Sequence, residues 1–261
     1  MAEAADQRSR PGYTRGTGLR AAGAALLVVC VVAGLWLRFR GAAPEYTTPV
    51  GGTASISMTD GSSLVLNTDS AVRVSLTQEE RRIRLEYGEA FFEVAHDPTR
   101  PFVVEVGNKR VIAIGTQFSV RRVGSDLQIQ VAEGKVRVED ESVGTEAART
   151  LSLVSAGDVA STLGNTILVR QKSVAAVAES LSWRTGFVVF HDDTLADAVA
   201  ELNRYNSHKI VIRDAGIAAL RLSGKFRSSE SAAFVRLLLS GFAIEAQETA
   251  DTTVLCERKS R

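Results

Sequence analysis

The chain has 261 residues, of which 45% are apolar and 23% charged. That suits one large folded domain or two small ones and argues against global disorder. With 31 basic and 30 acidic side chains the net charge is +1, too small a bias for a general nucleic-acid binder. Two cysteines exclude a disulfide scaffold and a four-cysteine zinc site. The charge is unevenly spread, however. Residues 1–40 hold six arginines against Glu3 and Asp6, a net of +4, which leaves 25 basic against 28 acidic residues in the remainder.

Between the two regions lies Ala21 to Leu37, 17 residues without a charge. As a helix it spans roughly 26 Å, slightly less than a hydrocarbon core of ~30 Å. Arg20 and Arg38 flank it and Trp36 suits an interface. Four arginines precede it and two follow, which favours a membrane anchor with its N-terminus in the cytoplasm and its C-terminus outside. Two alternatives stand beside it, a cleaved signal peptide and a buried soluble helix. The stretch is long for a signal peptide, and Pro44 follows Gly41-Ala42-Ala43 at once. Residues 1–20, with Pro11, Gly12, Gly16 and Gly18, are expected to be a short disordered cytoplasmic tail. In this topology Cys30 and Cys256 cannot meet, so no intrachain disulfide is expected.

The body divides into two halves with different periods. Residues 44–141 read as an all-β domain, a sandwich, a roll or a short solenoid. Apolar side chains alternate at Ala54, Ile56 and Met58, at Val72, Val74 and Leu76, and at Ile83, Leu85 and Tyr87. The pattern continues through Phe102–Val106, Val111–Ile114, Phe118–Arg122, Leu127–Val131 and Lys135–Val138. Turn pairs such as Asp60-Gly61 and Glu133-Gly134 punctuate it. Glu79-Glu80-Arg81-Arg82 reads as a solvated turn. Residues 142–186 form an expected connector, with strands near Leu151–Val154 and Thr166–Val169 and a helix burying Val174, Val177, Ala178 and Leu181.

Residues 187–258 read as a small α/β domain of β-α-β-β-α-β type. Thr194, with Asp197 as capping-box partner, opens a helix over Leu195 to Asn206 that buries Leu195, Ala198, Val199, Leu202 and Tyr205. Lys209–Arg213 and Arg221–Phe226 follow as strands. Ser228 or Ser229 opens a second helix, burying Ala232, Val235, Leu238 and Leu239 and ending at Gly241. Phe242–Gln247 and Thr252–Arg258 close the domain as strands.

Motifs of catalysis are absent. His96, His191 and His208 are far apart and carry no metal-ligand spacing, and His191-Asp192-Asp193 reads as a surface loop before a helix. No phosphate loop, dinucleotide fingerprint or nucleophile elbow occurs. No enzyme activity, cofactor or metal is therefore expected. One step could still carry chemistry. In Gly115-Thr116 the hydroxyl can attack the preceding carbonyl and convert the peptide to an ester, which water opens; glycine removes bulk and permits the twisted backbone. The plainer reading is a bulge glycine followed by a strand threonine.

The chain also carries long strings that resemble a known family. They include Tyr46-Thr47-Thr48, Asp60-Gly61-Ser62 and Leu66-Asn67-Thr68. Gly88-Glu89-Ala90-Phe91-Phe92-Glu93-Val94-Ala95-His96-Asp97 follows, then Arg100-Pro101-Phe102, Ile114-Gly115-Thr116-Gln117-Phe118-Ser119-Val120-Arg121 and Glu133-Gly134-Lys135-Val136. In the second half come Ser182-Trp183-Arg184, Leu202-Asn203-Arg204-Tyr205 and Leu222-Ser223-Gly224-Lys225-Phe226. The first set resembles the extracytoplasmic domain of the FecR family of transmembrane regulators. The second resembles the small domain shared by secretins and TonB-dependent receptors.

The resemblance implies a regulator that relays a signal, often iron or siderophore uptake, from the periplasmic signalling domain of a TonB-dependent receptor to an extracytoplasmic-function (ECF) sigma factor. It also implies self-cleavage at Gly115-Thr116 in some members. Typical members carry a helical sigma-binding domain before the membrane segment, where 20 residues stand here. A misplaced start codon, a separate protein or an indirect mode of action would each account for that, and direct sigma contact is doubtful. A membrane-anchored structural or carbohydrate-binding module without a sigma partner is the alternative.

Overall fold

A computed structural model describes residues 44–141, 150–164 and 166–258. The expected membrane helix at 21–37, its tail and Cys30 lie outside them. Among the described residues no helix is long and apolar enough to cross a membrane.

Fourteen strands form the first part. They are β1 (Glu45–Thr48), β2 (Ala54–Ser57), β3 (Ser63–Leu66), β4 (Ser70–Leu76), β5 (Arg81–Tyr87), β6 (Glu89–Glu93) and β7 (Phe102–Val106), then β8 (Lys109–Ala113), β9 (Gln117–Val123), β10 (Asp126–Glu133), β11 (Lys135–Asp140), β12 (Thr150–Ser155), β13 (Asp158–Leu163) and β14 (Thr166–Gln171). They make two seven-stranded sheets, ordered β1-β4-β5-β7-β8-β11-β12 and β14-β13-β10-β9-β6-β3-β2. All pairs are antiparallel except β5 with β7. The inner faces share one core, so of the expected architectures the sandwich is realised. Period-two alternation creates it: Leu127, Ile129 and Val131 of β10 point inward while their neighbours do not. Phe92 joins the sheets, with ring centroids 5.6 Å from Phe102 and 5.2 Å from Phe118.

The strands expected in the connector belong to this sandwich. β12 pairs with β11 in one sheet and β14 with β13 in the other, so they are not a pair bridging onwards. β13 escapes the sequence pattern because Ala160 and Thr162, both weakly apolar, fill its inward positions. Arg81 corrects the solvated turn: it is fully buried at the start of β5. Its guanidinium donates to the carbonyls of Arg100 (2.9 Å) and Ala95 (2.8 Å) and to Asp60 (3.2 Å). A buried charge is tolerated when its donors are paired in this way.

The second part begins with α1 (Val174–Ser180), capped by Ser173 Oγ on Ala176 N, and a 3-10 turn at Ser182–Thr185. Of its expected face only Val177 and Leu181 are buried; Val174 and Ala178 are exposed. Then come β15 (Phe187–Thr194), α2 (Leu195–Tyr205), β16 (Lys209–Ile212), the single turn α3 (Ala215–Ala218), β17 (Arg221–Arg227), α4 (Ser231–Gly241), β18 (Ile244–Glu248) and β19 (Thr252–Glu257). β15 pairs with β17, and β16-β19-β18 form a three-stranded sheet. The unit therefore adds a one-turn helix to the expected elements, and the two expected closing strands pair as an antiparallel hairpin.

The cap of α2 is as expected: Thr194 Oγ1 accepts from Asp197 N at 3.1 Å and donates to Asp197 Oδ2 at 2.6 Å. All five expected apolar residues of α2 are buried. α4 starts later than expected, after Glu230, because Glu230 N is held in a turn by the Arg227 carbonyl. Phe234 replaces Ala232 on its buried face. His191-Asp192-Asp193 ends β15 at a bulge, with Asp192 at φ 56°, and is not a free loop.

Candidate functional site

Two places bring family-resembling residues together. The first is the junction of the sandwich with the α/β unit. The outer face of the β6-bearing sheet presents Phe91, Val65, Ala132 and Val159, and all four join the core of the α/β unit. The Arg184 guanidinium stands over the Phe91 ring, 3.9 Å from its centroid.

Beside this apolar contact runs a buried polar network. Asn67 Nδ2 donates to Glu89 Oε2 and to the Tyr205 hydroxyl, both at 2.9 Å. Arg204 donates to Glu89 Oε2 at 2.8 Å and to Glu201 Oε1 at 2.6 Å. Ser119 Oγ donates to Glu89 Oε1 at 3.0 Å, and Arg121 donates to Glu201 Oε2 at 2.9 Å. Thr68 Oγ1 donates to the Arg204 carbonyl at 3.0 Å. Asn67 is fully buried and Glu89 is 3% exposed, so charge pairing here is weakly screened.

Burial alone would raise the Glu201 carboxyl, but Arg204 and Arg121 outweigh it and hold it below the ordinary range. Burial opposes the Arg204 charge, and Glu89 and Glu201 reverse that and push its pKa up. Burial, reinforced by Glu201, raises the Tyr205 phenol. These shifts keep Glu201 and Arg204 charged and Tyr205 neutral at pH 7, and the network ties two elements together.

Its members come from Leu66-Asn67-Thr68, Gly88-Glu89, Ser119-Val120-Arg121 and Asn203-Arg204-Tyr205, segments up to 138 residues apart. Sequence reading marked them only as parts of strings. Glu201 lay outside every string and gave no signal beyond its place one turn before Arg204 and Tyr205. Asn203 has a local task, clamping Ile210 through its carbonyl (2.7 Å) and its N–H (2.8 Å). A cleft of about 410 Å³ opens beside the network, bordered by Arg121, Gln130, Lys172, Trp183 and Asp193.

The second place is Gly115-Thr116, in the bend between β8 and β9. Thr116 is buried and its Oγ1 donates to the Lys135 carbonyl at 3.3 Å, while its own carbonyl accepts from Val94 N at 3.0 Å. Gly134, at φ +79°, packs on it: a Cβ there would stand 3.0 Å from the Gly115 oxygen. A cleft of about 420 Å³ opens in front, bordered by Gly61, Glu93, His96 and Glu133.

His191 Nε2 meets Glu179 at 2.7 Å on the surface, and His208 Nε2 meets Thr253 Oγ1 at 2.8 Å. The three histidines are thus kept apart. Cys256 is a free thiol on β19. Among the described residues no group of three or more His, Cys, Asp or Glu side chains is placed to hold a metal.

The comparisons with known proteins agree with this architecture. Two crystal structures of a proposed anti-sigma factor from Parabacteroides distasonis ATCC 8503, at 1.65 Å and 2.50 Å resolution, share the fold, with TM-scores of 0.66 and 0.64. Sequence identity is 20% and 21%, and the match covers 82% of this chain and 99% and 98% of those chains. No curated protein matches the chain. The family model described as FecR protein matches residues 44–137, which hold the first eleven strands apart from the end of β11. Over that segment, about a third of the chain, the sequence is similar to the FecR family.

Proposed function

We propose that this protein is a single-pass inner-membrane regulator of an ECF sigma factor. Its sandwich and α/β unit would lie in the periplasm and receive a signal from a TonB-dependent outer-membrane receptor, in iron or siderophore uptake. The observation that carries the reading is the FecR-like segment, joined by a buried charge network to an α/β unit in a chain whose fold resembles that of a proposed anti-sigma factor. The uncharged stretch at 21–37 and its flanking arginines support the anchor and its orientation.

The α/β unit offers the dock. β15 and β17 form a two-stranded ribbon, and β16 and β18 edge the three-stranded sheet, so backbone donors and acceptors stand ready for an added strand. Purification of the full chain from membranes tests the reading. Co-purification of the sigma factor and of a receptor signalling domain is expected; recovery of neither contradicts it.

The reading includes self-cleavage between Gly115 and Thr116. A nucleophilic hydroxyl held by one hydrogen bond next to a glycine that carries no side chain, at the edge of an open cleft, supports that step. Thr116→Ala is expected to leave one full-length band where the wild type gives two.

A further inference from the structure

Gly115 is a glycine for a reason of contact. A Cβ at this position would stand 2.7 Å from His96 Nδ1, 3.0 Å from its Cβ and 3.1 Å from its Cα. The ring nitrogen is therefore no more than about 4.2 Å from the Gly115 Cα, given ordinary bond lengths. Two other groups that could carry a proton, Glu93 and Glu133, border the same cleft. Glu93 is engaged by the Ser63 hydroxyl at 3.0 Å. The three atoms nearest the Gly115 Cβ position all belong to His96.

The backbone around His96 is held firmly. Buried Arg81 donates to the carbonyls on either side of it, Ala95 at 2.8 Å and Asp97 at 3.4 Å. Asp97 N donates to the Ile114 carbonyl at 3.1 Å and Val94 N to the Thr116 carbonyl at 3.0 Å. The backbone that carries His96 is thereby held against Gly115, and its exposed side chain stands at the cleft.

We infer that His96 is the proton-transfer residue for cleavage at Gly115–Thr116; the inference rests on the cleavage reading above. Neutral His96 takes the proton from Thr116 Oγ1 as that oxygen bonds to the Gly115 carbonyl carbon. The tetrahedral centre then collapses, the C–N bond breaks, and His96 returns the proton to the Thr116 nitrogen. The product is an ester from Gly115 to the Thr116 side chain with a free Thr116 amine. Water opens the ester, leaving a Gly115 carboxylate and an N-terminal Thr116. One water is consumed and nothing is oxidised. Arg81 is a positioning residue in this scheme.

The test follows newly made full-length chain over time. Wild type is expected to give two fragments meeting at Gly115 and Thr116. Hydroxylamine should trap the ester as a hydroxamate on Gly115. His96→Ala should slow cleavage about 100-fold or more, the usual scale for losing a general acid–base group. Added imidazole should restore part of that rate, which a merely structural role of His96 would not allow. His96→Gln, which keeps the bulk, should be equally slow, while Glu93→Gln and Glu133→Gln should cleave like wild type. Wild-type rates in both His96 variants, a folded His96→Ala that imidazole does not rescue, or loss of cleavage in Glu133→Gln would overturn the role of His96 and leave the site standing. A wild-type chain that stays intact overturns the cleavage reading and the inference together.

Discussion

The two sheets of the sandwich have like inner faces and unlike outer ones. The outer face of the β5-bearing sheet is a ladder of ion pairs in which most of the arginines are exposed, although Glu105 and Glu139 are buried. Glu45 meets Arg73 at 3.6 Å, Arg73 meets Glu86 at 2.8 Å, Arg82 and Arg84 share Glu105, and Glu139 receives Arg137 and Arg110. The outer face of the β6-bearing sheet carries Phe91 and the buried Glu89–Arg204 pair and is covered by the α/β unit. One face is made to stay in water and the other to hold a neighbour. The same charge chemistry has different worth on each: exposed pairs contribute ~0–1 kcal/mol, and breaking a buried pair costs about 3–5 kcal/mol.

Substitutions can break this contrast in graded steps. The largest effect is expected at the inner face both sheets share: Phe92→Ala should cost about 3–5 kcal/mol and lower the melting temperature by roughly 10 °C. Next comes the covered face. Arg204→Ala leaves Glu89 buried without its cation and should destabilise by about 3 kcal/mol or more. It should also speed proteolysis in the segment between β14 and β15 while the sandwich core stays protected from hydrogen exchange. The open face should respond least: Arg73→Ala is expected to shift stability by less than about 1 kcal/mol, and that small loss should vanish in high salt.

Acid provides a further probe of the covered face. Glu201 has a lowered pKa in the folded protein, so its contribution is full above the ordinary glutamate value of 4.5 and is lost as pH falls through the depressed folded value. Stability measured from pH 6 downward should drop less steeply in Glu201→Gln than in wild type.

Legibility in the sequence follows locality. The cap and buried stripe of α2 are set by residues within one helix, and Thr194, Asp197, Leu195 and Leu202 announce them. Strands with strong alternation, such as β5 and β10, are equally plain. β13 is not, because Ala160 and Thr162 are poor markers of an inward face. Arg81 reads as solvated because its burial depends on carbonyls of Ala95 and Arg100, which only the folded turn supplies. The junction network is the extreme case. Asn67, Glu89 and Tyr205 are ordinary polar residues until tertiary structure closes 138 residues between Asn67 and Tyr205. The approach of His96 to Gly115 is likewise a product of strand pairing and leaves no trace in spacing.

The central claim is that this chain governs a sigma factor through an extracytoplasmic unit whose two parts act as one. A reporter on a promoter of the cognate ECF sigma factor, in cells lacking the chain and then complemented, tests it most directly. Loss of the chain should change the response to the outside signal, wild type should restore it, and Arg204→Ala, present in the membrane at equal amount, should restore it poorly. A reporter that is unchanged by loss of the chain would contradict the account.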